Sequence, residues 1–292
     1  MRTIQRRLHF YHLGQHALLI LLVISLLLVT PLSGCRKKEA TPAPKSQVSM
    51  PVVGTEGKST FQSPTTRAQE SPGATEVSAP RQATVKDVTL TTEDEIQLAA
   101  TYYSPPLENA PGVVLLHMVD RQRQDWDRLA RQLQANGFAA LAVDFRGHGK
   151  SQGKKKWGEM TKDAAAAYAW LAERPEVDGG RIGLIGASIG ANIALNFAAR
   201  QPGVRTLVLL SPGLEYRGVK TEEAIKQYGA RPVFIAASKE DKYATQSAGT
   251  LDALAQNQHH LQIYENQGHG TRMLGKGNGL EELILQWLKK TL

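Results

Sequence analysis

Cysteine is nearly absent from this chain of 292 residues, with Cys35 as its single occurrence. One thiol cannot close an intramolecular disulfide, even in an oxidising compartment. The sequence also lacks any cluster of His, Asp and Glu with metal-ligand spacing, and it has no glycine-rich phosphate loop. We therefore expect no metal and no cofactor.

Basic residues outnumber acidic ones, and the formal net charge is +8. Most of this excess lies in residues 1–85, which hold ten Lys and Arg against four Asp and Glu, whereas residues 86–292 hold 25 against 23. A nucleic-acid-binding domain would carry its excess as a basic patch or stripe on the fold. No such stripe with interleaved aromatic residues is present, so nucleic acid is excluded as a partner.

The N-terminal apolar run, residues 17–29, is shorter than the roughly 20 residues of a membrane-spanning helix. It follows three arginines and precedes Leu-Ser-Gly-Cys, a pattern typical of a secretory signal. The four residues resemble the bacterial lipobox, in which cleavage precedes a cysteine that carries a diacylglyceryl group. We expect residues 1–34 to be a lipoprotein signal peptide and Cys35 to be lipidated; the alternative is an uncleaved N-terminal anchor.

Residues 36–84 are rich in Pro, Ser, Thr, Gly and Ala and nearly free of aromatic residues. Such a segment cannot bury enough apolar surface to offset its ordering entropy. We predict that residues 35–84 form a lipidated cysteine and a disordered linker, a tether of roughly 40 Å. By analogy, Arg36 in place of aspartate points to the outer membrane of a Gram-negative cell, at its periplasmic face.

From residue 85 to residue 292 an antiparallel hairpin is followed by apolar strand-like runs that alternate with helical periodicity. This alternation predicts an α/β fold with a mostly parallel central sheet and helices on both faces. In such sheets ligands bind at the carboxyl ends of the strands. Only about 20 residues separate two late strands, which leaves room for a short helix but not for a large lid domain.

The chemistry centres on Gly-Ala-Ser-Ile-Gly, residues 186–190, between an apolar strand and an amphipathic helix. In this setting G-x-S-x-G exposes a nucleophilic serine, here Ser188, and the glycines allow close approach of neighbouring backbone. The next residue, Ile189, is expected to supply one oxyanion-hole N–H. The alternative is a glycine-rich turn without chemistry.

A serine needs a base, and the base needs an orienting acid. Of the three histidines after Ser188, two begin a strand, whereas His269 lies in a glycine-flanked loop and is the predicted base. The acid should follow the strand that ends near residue 238, where Glu240 and Asp241 are both candidates.

Four landmarks, LLHM, DFRGHGKS, GASIG and GHG, occur in the order typical of the α/β-hydrolase superfamily. The chain resembles its dienelactone-hydrolase and serine-aminopeptidase-like branch over residues 85–292. The resemblance implies Asp241 as the acid and Glu240 as a solvated neighbour, and it maps the second oxyanion donor to Val119. Where the family has His-Gly, this chain has His117-Met118.

These features favour a membrane-anchored, carboxylesterase-like serine hydrolase that cleaves small carboxylic esters or lactones through an acyl-enzyme. We expect it to act as a monomer. A peptidase or amidase with the same triad remains open, as does a non-catalytic lipoprotein that binds an envelope partner.

Overall fold

A computed structural model of the chain describes residues 82–256 and 258–292. The predicted signal peptide, Cys35 and nearly all of the predicted linker lie outside the described residues. The strands are β1 (Thr84–Thr91), β2 (Gln97–Ser104), β3 (Ala110–Leu116), β4 (Ala139–Val143), β5 (Val177–Ala187), β6 (Val204–Leu210), β7 (Glu215–Tyr216), β8 (Val219–Lys220), β9 (Val233–Ser238) and β10 (His259–Tyr264). The helices are α1 (Asp127–Ala135), α2 (Met160–Ala172), α3 (Ile189–Arg200), α4 (Glu222–Tyr228), α5 (Lys242–Leu254) and α6 (Leu280–Thr291).

Eight strands form one sheet in the order β1-β2-β4-β3-β5-β6-β9-β10. The hairpin β1–β2 is antiparallel and joins the sheet through an antiparallel β2–β4 pairing, whereas every pairing from β4 to β10 is parallel. The carboxyl ends of the six parallel strands therefore meet at one edge. The predicted mostly parallel sheet is confirmed.

The sheet is buried on both faces, and its strands β3 and β4 are apolar at every position. In β3, Val114 and Leu116 belong to the core under α2, α3, α4 and α5, whereas Val113 and Leu115 belong to the core under α1 and α6. This is the period of two expected of a strand. Each such side chain contributes about 1.5–3 kcal/mol by leaving water.

The chain between β6 and β9 holds the two-stranded sheet β7–β8 and helix α4. The short helix and the lack of room for a large lid were predicted, but the β7–β8 hairpin was not. Its turn residues Arg217 and Gly218 both have positive φ, +52° and +81°, as a type I′ turn requires. This hairpin stands at the carboxyl edge of the sheet, directly after β6.

Candidate active site

Ser188 occupies the one-residue corner between β5 and α3. Its φ of 54° and ψ of −122° are strained for a residue with a Cβ, at a cost of about 1–3 kcal/mol. The flanking glycines make the corner possible, since a Cβ at Gly186 would lie 2.3 Å from the Gly190 carbonyl oxygen. A Cβ at Gly190 would lie 2.3 Å from the carbonyl oxygen of Leu116. The expected close backbone approach is confirmed at both glycines.

His269 lies in the loop after β10, and its Nδ1 forms a hydrogen bond with Oδ2 of Asp241. Asp241 directly precedes α5, where its Oδ1 accepts the N–H of Ala244 at 3.3 Å. The carboxylate orients the imidazole and leaves Nε2 available to a hydroxyl. The loop also touches the elbow, because a Cβ at Gly270 would lie 3.4 Å from the Cβ of Ala187. The fold thus brings Ser188, Asp241 and His269 to one edge of the sheet.

Glu240 does not have the role of a solvated neighbour that the sequence suggested. Its carboxylate is exposed, yet it accepts the N–H of Asn266 at 2.8 Å and the N–H of Gly268 at 2.6 Å. It also accepts the hydroxyl of Ser238 at 2.6 Å. The Ser238 hydroxyl and these backbone N–H groups lower the pKa of Glu240 to about 2. Glu240 therefore holds the loop that carries His269.

Two serines hold the same loop, and together with Glu240 they form the clamp of the His269 loop. Ser238 Oγ accepts the N–H of Gln267 at 2.9 Å, and Ser211 Oγ accepts the N–H of Gly270 at 2.9 Å. The backbone on both sides of His269 is thereby tied to side chains at the ends of β6 and β9. Such surrounding hydrogen bonds fix a catalytic side chain far better than the loop alone could. Only the paired strand ends bring these residues together, so the linear sequence carried no signal for them.

The predicted oxyanion donors Val119 and Ile189 lie in two neighbouring segments. Within residues 82–256 and 258–292, neither N–H is donated to a protein acceptor, which leaves both available to a ligand oxygen. The N–H of Ile189 is one of the unpaired donors at the start of α3.

Met118 replaces the glycine of the family pattern and fills space under the His269 loop. Its side chain is 4% exposed, and its sulfur would lie 2.8 Å from a Cβ at Gly270. Gly270 has a φ of +59°, so glycine at this position both leaves room for the Met118 side chain and permits the turn. The departure from His-Gly is accommodated by packing on the opposite loop.

His117 is fully buried and has both ring nitrogens engaged. Nδ1 lies 2.8 Å from the carbonyl oxygen of Met118, and Nε2 accepts the N–H of Phe145 at 3.0 Å. Burial lowers the pKa of His117 to about 4, so the ring is neutral. These contacts show that His117 shapes the loop after β3.

The DFRGHG segment, residues 144–149, is built around buried ion pairs. Asp144 accepts the backbone N–H of Arg123 at 2.7 Å and pairs with its guanidinium. Arg146, 2% exposed, pairs with the fully buried Asp163 at 2.7 Å. His148 donates from Nδ1 to the carbonyl of Arg146 at 3.1 Å, within the same segment.

The other two late histidines stand away from this edge, at the start of β10. His259 pairs with Asp252 at 2.7 Å, and the His260 ring stacks on Phe234 at a centroid distance of 5.2 Å. In the described part of the chain, no three His, Cys, Asp or Glu side chains are grouped so that they could hold a metal ion. No helix there is long and apolar enough to cross a membrane.

Tyr216 is a site residue that sequence reasoning missed. Its ring, carried by the β7–β8 hairpin, stands edge-on to His269 at a centroid distance of 6.2 Å. Burial raises the pKa of its phenol, and the Ser188 hydroxyl and the Asp241 carboxylate are among the groups close enough to shift it. Ser188 itself is only 3% exposed. The available signal was the Arg-Gly pair at the hairpin turn, which predicts a tight reversal.

The Tyr216 ring is fixed in place by its neighbours. A Cβ at Gly213 would lie 2.7 Å from the ring, so only glycine leaves room for it. On the other side Tyr243 packs edge-on at 5.6 Å, and its hydroxyl bonds the backbone N–H and carbonyl of Glu215, each at 2.9 Å. These neighbours therefore hold the Tyr216 ring in one position beside His269.

A family model described as "Serine aminopeptidase, S33" matches residues 108–231, less than half of the chain. An uncharacterised protein of Mycobacterium tuberculosis is 32% identical over 128 residues, which are 44% of this chain and 45% of that protein. Esterase FrsA of Yersinia pestis is 29% identical over 137 residues, 44% of this chain and 32% of that enzyme. The chain thus spans less than half the length of these curated relatives.

The dienelactone hydrolase of Anabaena variabilis superposes with a TM-score of 0.62 over 73% of this chain and 100% of that one. At 19% identity this likeness shows the fold alone. The chain has the α/β-hydrolase fold, as its motifs predicted, with no large lid in the described residues.

Proposed function

We propose that this chain is a serine hydrolase that cleaves small carboxylic esters or lactones through an acyl-enzyme. The observation that carries the proposal is that one edge of the sheet holds both the strained Ser188 and a His269 that is hydrogen-bonded to Asp241. A binding module has no need to assemble this combination. The similarity to esterase FrsA and the fold shared with a dienelactone hydrolase support the ester substrate class.

In the proposed reaction, Ser188 Oγ attacks the substrate carbonyl carbon while His269 Nε2 takes the hydroxyl proton. The tetrahedral oxyanion accepts the N–H groups of Ile189 and Val119. When the intermediate collapses, the ester C–O bond breaks and His269 returns the proton to the leaving alcohol. Water then attacks the acyl-enzyme by the same route, which releases the acid and Ser188. Asp241 stabilises the imidazolium throughout.

A fluorophosphonate probe tests the proposal directly. We expect a covalent adduct on Ser188, no adduct in Ser188→Ala, and hydrolysis of an acetyl ester only by chains that retain Ser188. If Ser188 stays unlabelled and no ester is cleaved, the serine-hydrolase hypothesis is wrong and the protein has a non-catalytic binding role.

A peptidase or amidase on the same three residues is the second candidate, because the matched family model is described as a serine aminopeptidase. Esters and peptides differ mainly in the leaving group that His269 must protonate. Comparing kcat/KM on an acyl ester and on the matching acyl anilide separates them. We expect the ester to be the better substrate.

We further propose that the chain is anchored at the bacterial outer membrane through lipidated Cys35, which lies outside the described residues. One acyl chain gives marginal membrane binding, whereas two or more give stable anchoring. Cys35→Ser should leave an uncleaved precursor, seen as a larger band, without acyl label. Normal processing of that variant would rule the lipobox out.

A further inference from the structure

A polar cavity of about 390 Å³ opens beside the oxyanion loop, between the segments that follow β3 and β4. This volume lies near the lower end of the roughly 300–1,000 Å³ typical of small-ligand sites. All of its lining residues are polar or glycine, and its charged walls are Asp120, Arg121, Asp125 and Lys155. Nothing in the proposed triad chemistry uses these side chains.

The cavity borders the reacting centre on two sides. Asp120 directly follows Val119, the proposed oxyanion donor. Asp125 accepts the hydroxyl of Thr271, two residues after His269, at 3.2 Å. The cavity and the reacting centre are therefore built from the same two loops, the one after β3 and the one that carries His269.

The charges of the walls already neutralise one another. Arg121 binds Asp125 through two hydrogen bonds, at 2.6 and 2.7 Å. Lys155 binds Asp120 at 2.6 Å and so joins the two segments across the cavity. Two cations and two carboxylates leave no net charge to attract an ionic ligand. They still offer both donors and acceptors, which is what a hydroxyl group requires.

His148 also lines this cavity. It is 5% exposed, and within residues 82–256 and 258–292 its Nε2 has no hydrogen-bond partner. Because Nδ1 donates to the Arg146 carbonyl, Nε2 of the neutral ring is an acceptor. A buried acceptor without a partner is unusual and is satisfied if a hydroxyl or water donates to it.

We infer that this cavity is a subsite for the hydroxyl-bearing portion of the ester substrate, such as the ring of an acetylated sugar. The inference rests on the proposed function and adds its substrate class. The hydroxyl groups of a sugar can hydrogen-bond to these polar walls, whereas an apolar alcohol of the same size cannot, so the sugar ester should be the better substrate.

The test compares two acetates of primary alcohols on six-membered rings, methyl 6-O-acetyl-glucoside and cyclohexylmethyl acetate. We expect kcat/KM to be at least about tenfold higher for the sugar ester, a difference that one or two hydrogen bonds supply. Lys155→Ala should lower the ratio of kcat/KM for the sugar ester to kcat/KM for cyclohexylmethyl acetate about tenfold. His148→Phe, which keeps an aromatic ring but removes Nε2, should also lower it.

Lys226→Ala is the matched control. Lys226 and Glu223 form an exposed ion pair at 2.7 Å on α4, comparable to the 2.6 Å pair of Lys155 and Asp120. In Lys226→Ala, the ratio of kcat/KM for the sugar ester to kcat/KM for cyclohexylmethyl acetate should equal that of the wild type. A wild-type ratio near one, or equal ratios for the two lysine variants, would overturn the subsite while ester cleavage stands. If neither ester is cleaved and Ser188 is not labelled, the proposed function itself fails.

Discussion

Two adjacent carboxylates support His269 in different ways, and substitution of each should have a different cost. Asp241 bonds the imidazole itself, whereas Glu240 bonds the backbone of the loop that carries it. We predict that Glu240→Gln lowers kcat about tenfold and that Asp241→Asn lowers it about 10³–10⁴-fold.

The tenfold loss of kcat expected for Glu240→Gln follows from the hydrogen-bond acceptors that remain in this variant. Asn266 and Gly268 donate to different oxygens of Glu240, and a glutamine keeps only one of these oxygens, so its amide nitrogen would face one of the two backbone N–H groups. The Ser211 bond to Gly270 persists. A displacement of 1 Å at a catalytic group costs about 10²-fold, and a partly held loop should move less than that. Because the pKa of Glu240 is about 2, the clamp is charged at every pH used for the assay.

The assay is steady-state hydrolysis of an acetyl ester with a fixed leaving group, with kcat and KM determined for each variant. Glu265→Gln is the control, since Glu265 is an exposed carboxylate whose side chain pairs with Lys239. It should stay within about twofold of wild type, as surface charges usually contribute little. Full activity of Glu240→Gln would show that the clamp is unnecessary. A crippled Glu240→Gln beside an active Asp241→Asn would make Glu240 the triad acid.

Gly190→Ala should destabilise the fold by about 1–3 kcal/mol in urea unfolding, because its Cβ would meet the Leu116 carbonyl at 2.3 Å. Gly249 lies in α5, and a Cβ there would have nothing within 4 Å, so Gly249→Ala should instead raise the free energy of unfolding by about 0.5–1 kcal/mol. Equal changes in stability for the two variants would contradict the close approach at Gly190. Between pH 6.5 and about 4, His117 binds a proton in the unfolded state but stays neutral in the folded state. The free energy of unfolding should therefore fall by about 3 kcal/mol as the pH decreases through that window. His117→Gln should lack this part of the pH dependence, and an identical pH profile would refute it. Tyr216→Ala should raise the ratio of kcat/KM on octanoyl esters to kcat/KM on acetyl esters about tenfold, because it removes the ring that stands beside His269; an unchanged ratio would place the acyl chain elsewhere.

The nucleophile corner and the alternating architecture could be predicted from the sequence because both are local. A glycine-flanked serine between a strand pattern and a helix pattern specifies a tight corner wherever it folds, and strands alternating with helices pair in parallel. His269 stood out for a similar reason, as the one late histidine in a glycine-flanked loop. The choice of Asp241 over Glu240 needed a family resemblance, since adjacent carboxylates look alike in one dimension.

Tertiary structure alone decided what surrounds that chemistry. Glu240 and Ser211 lie far along the chain from the loop they hold, and the parallel pairings of β6 with β9 and of β9 with β10 bring them to it. The fit of Met118 against Gly270 joins residues more than a hundred positions apart. Tyr216 stands beside His269 because Gly213 leaves space for its ring. These contacts depend on how the strand ends meet in space, which composition and periodicity do not encode.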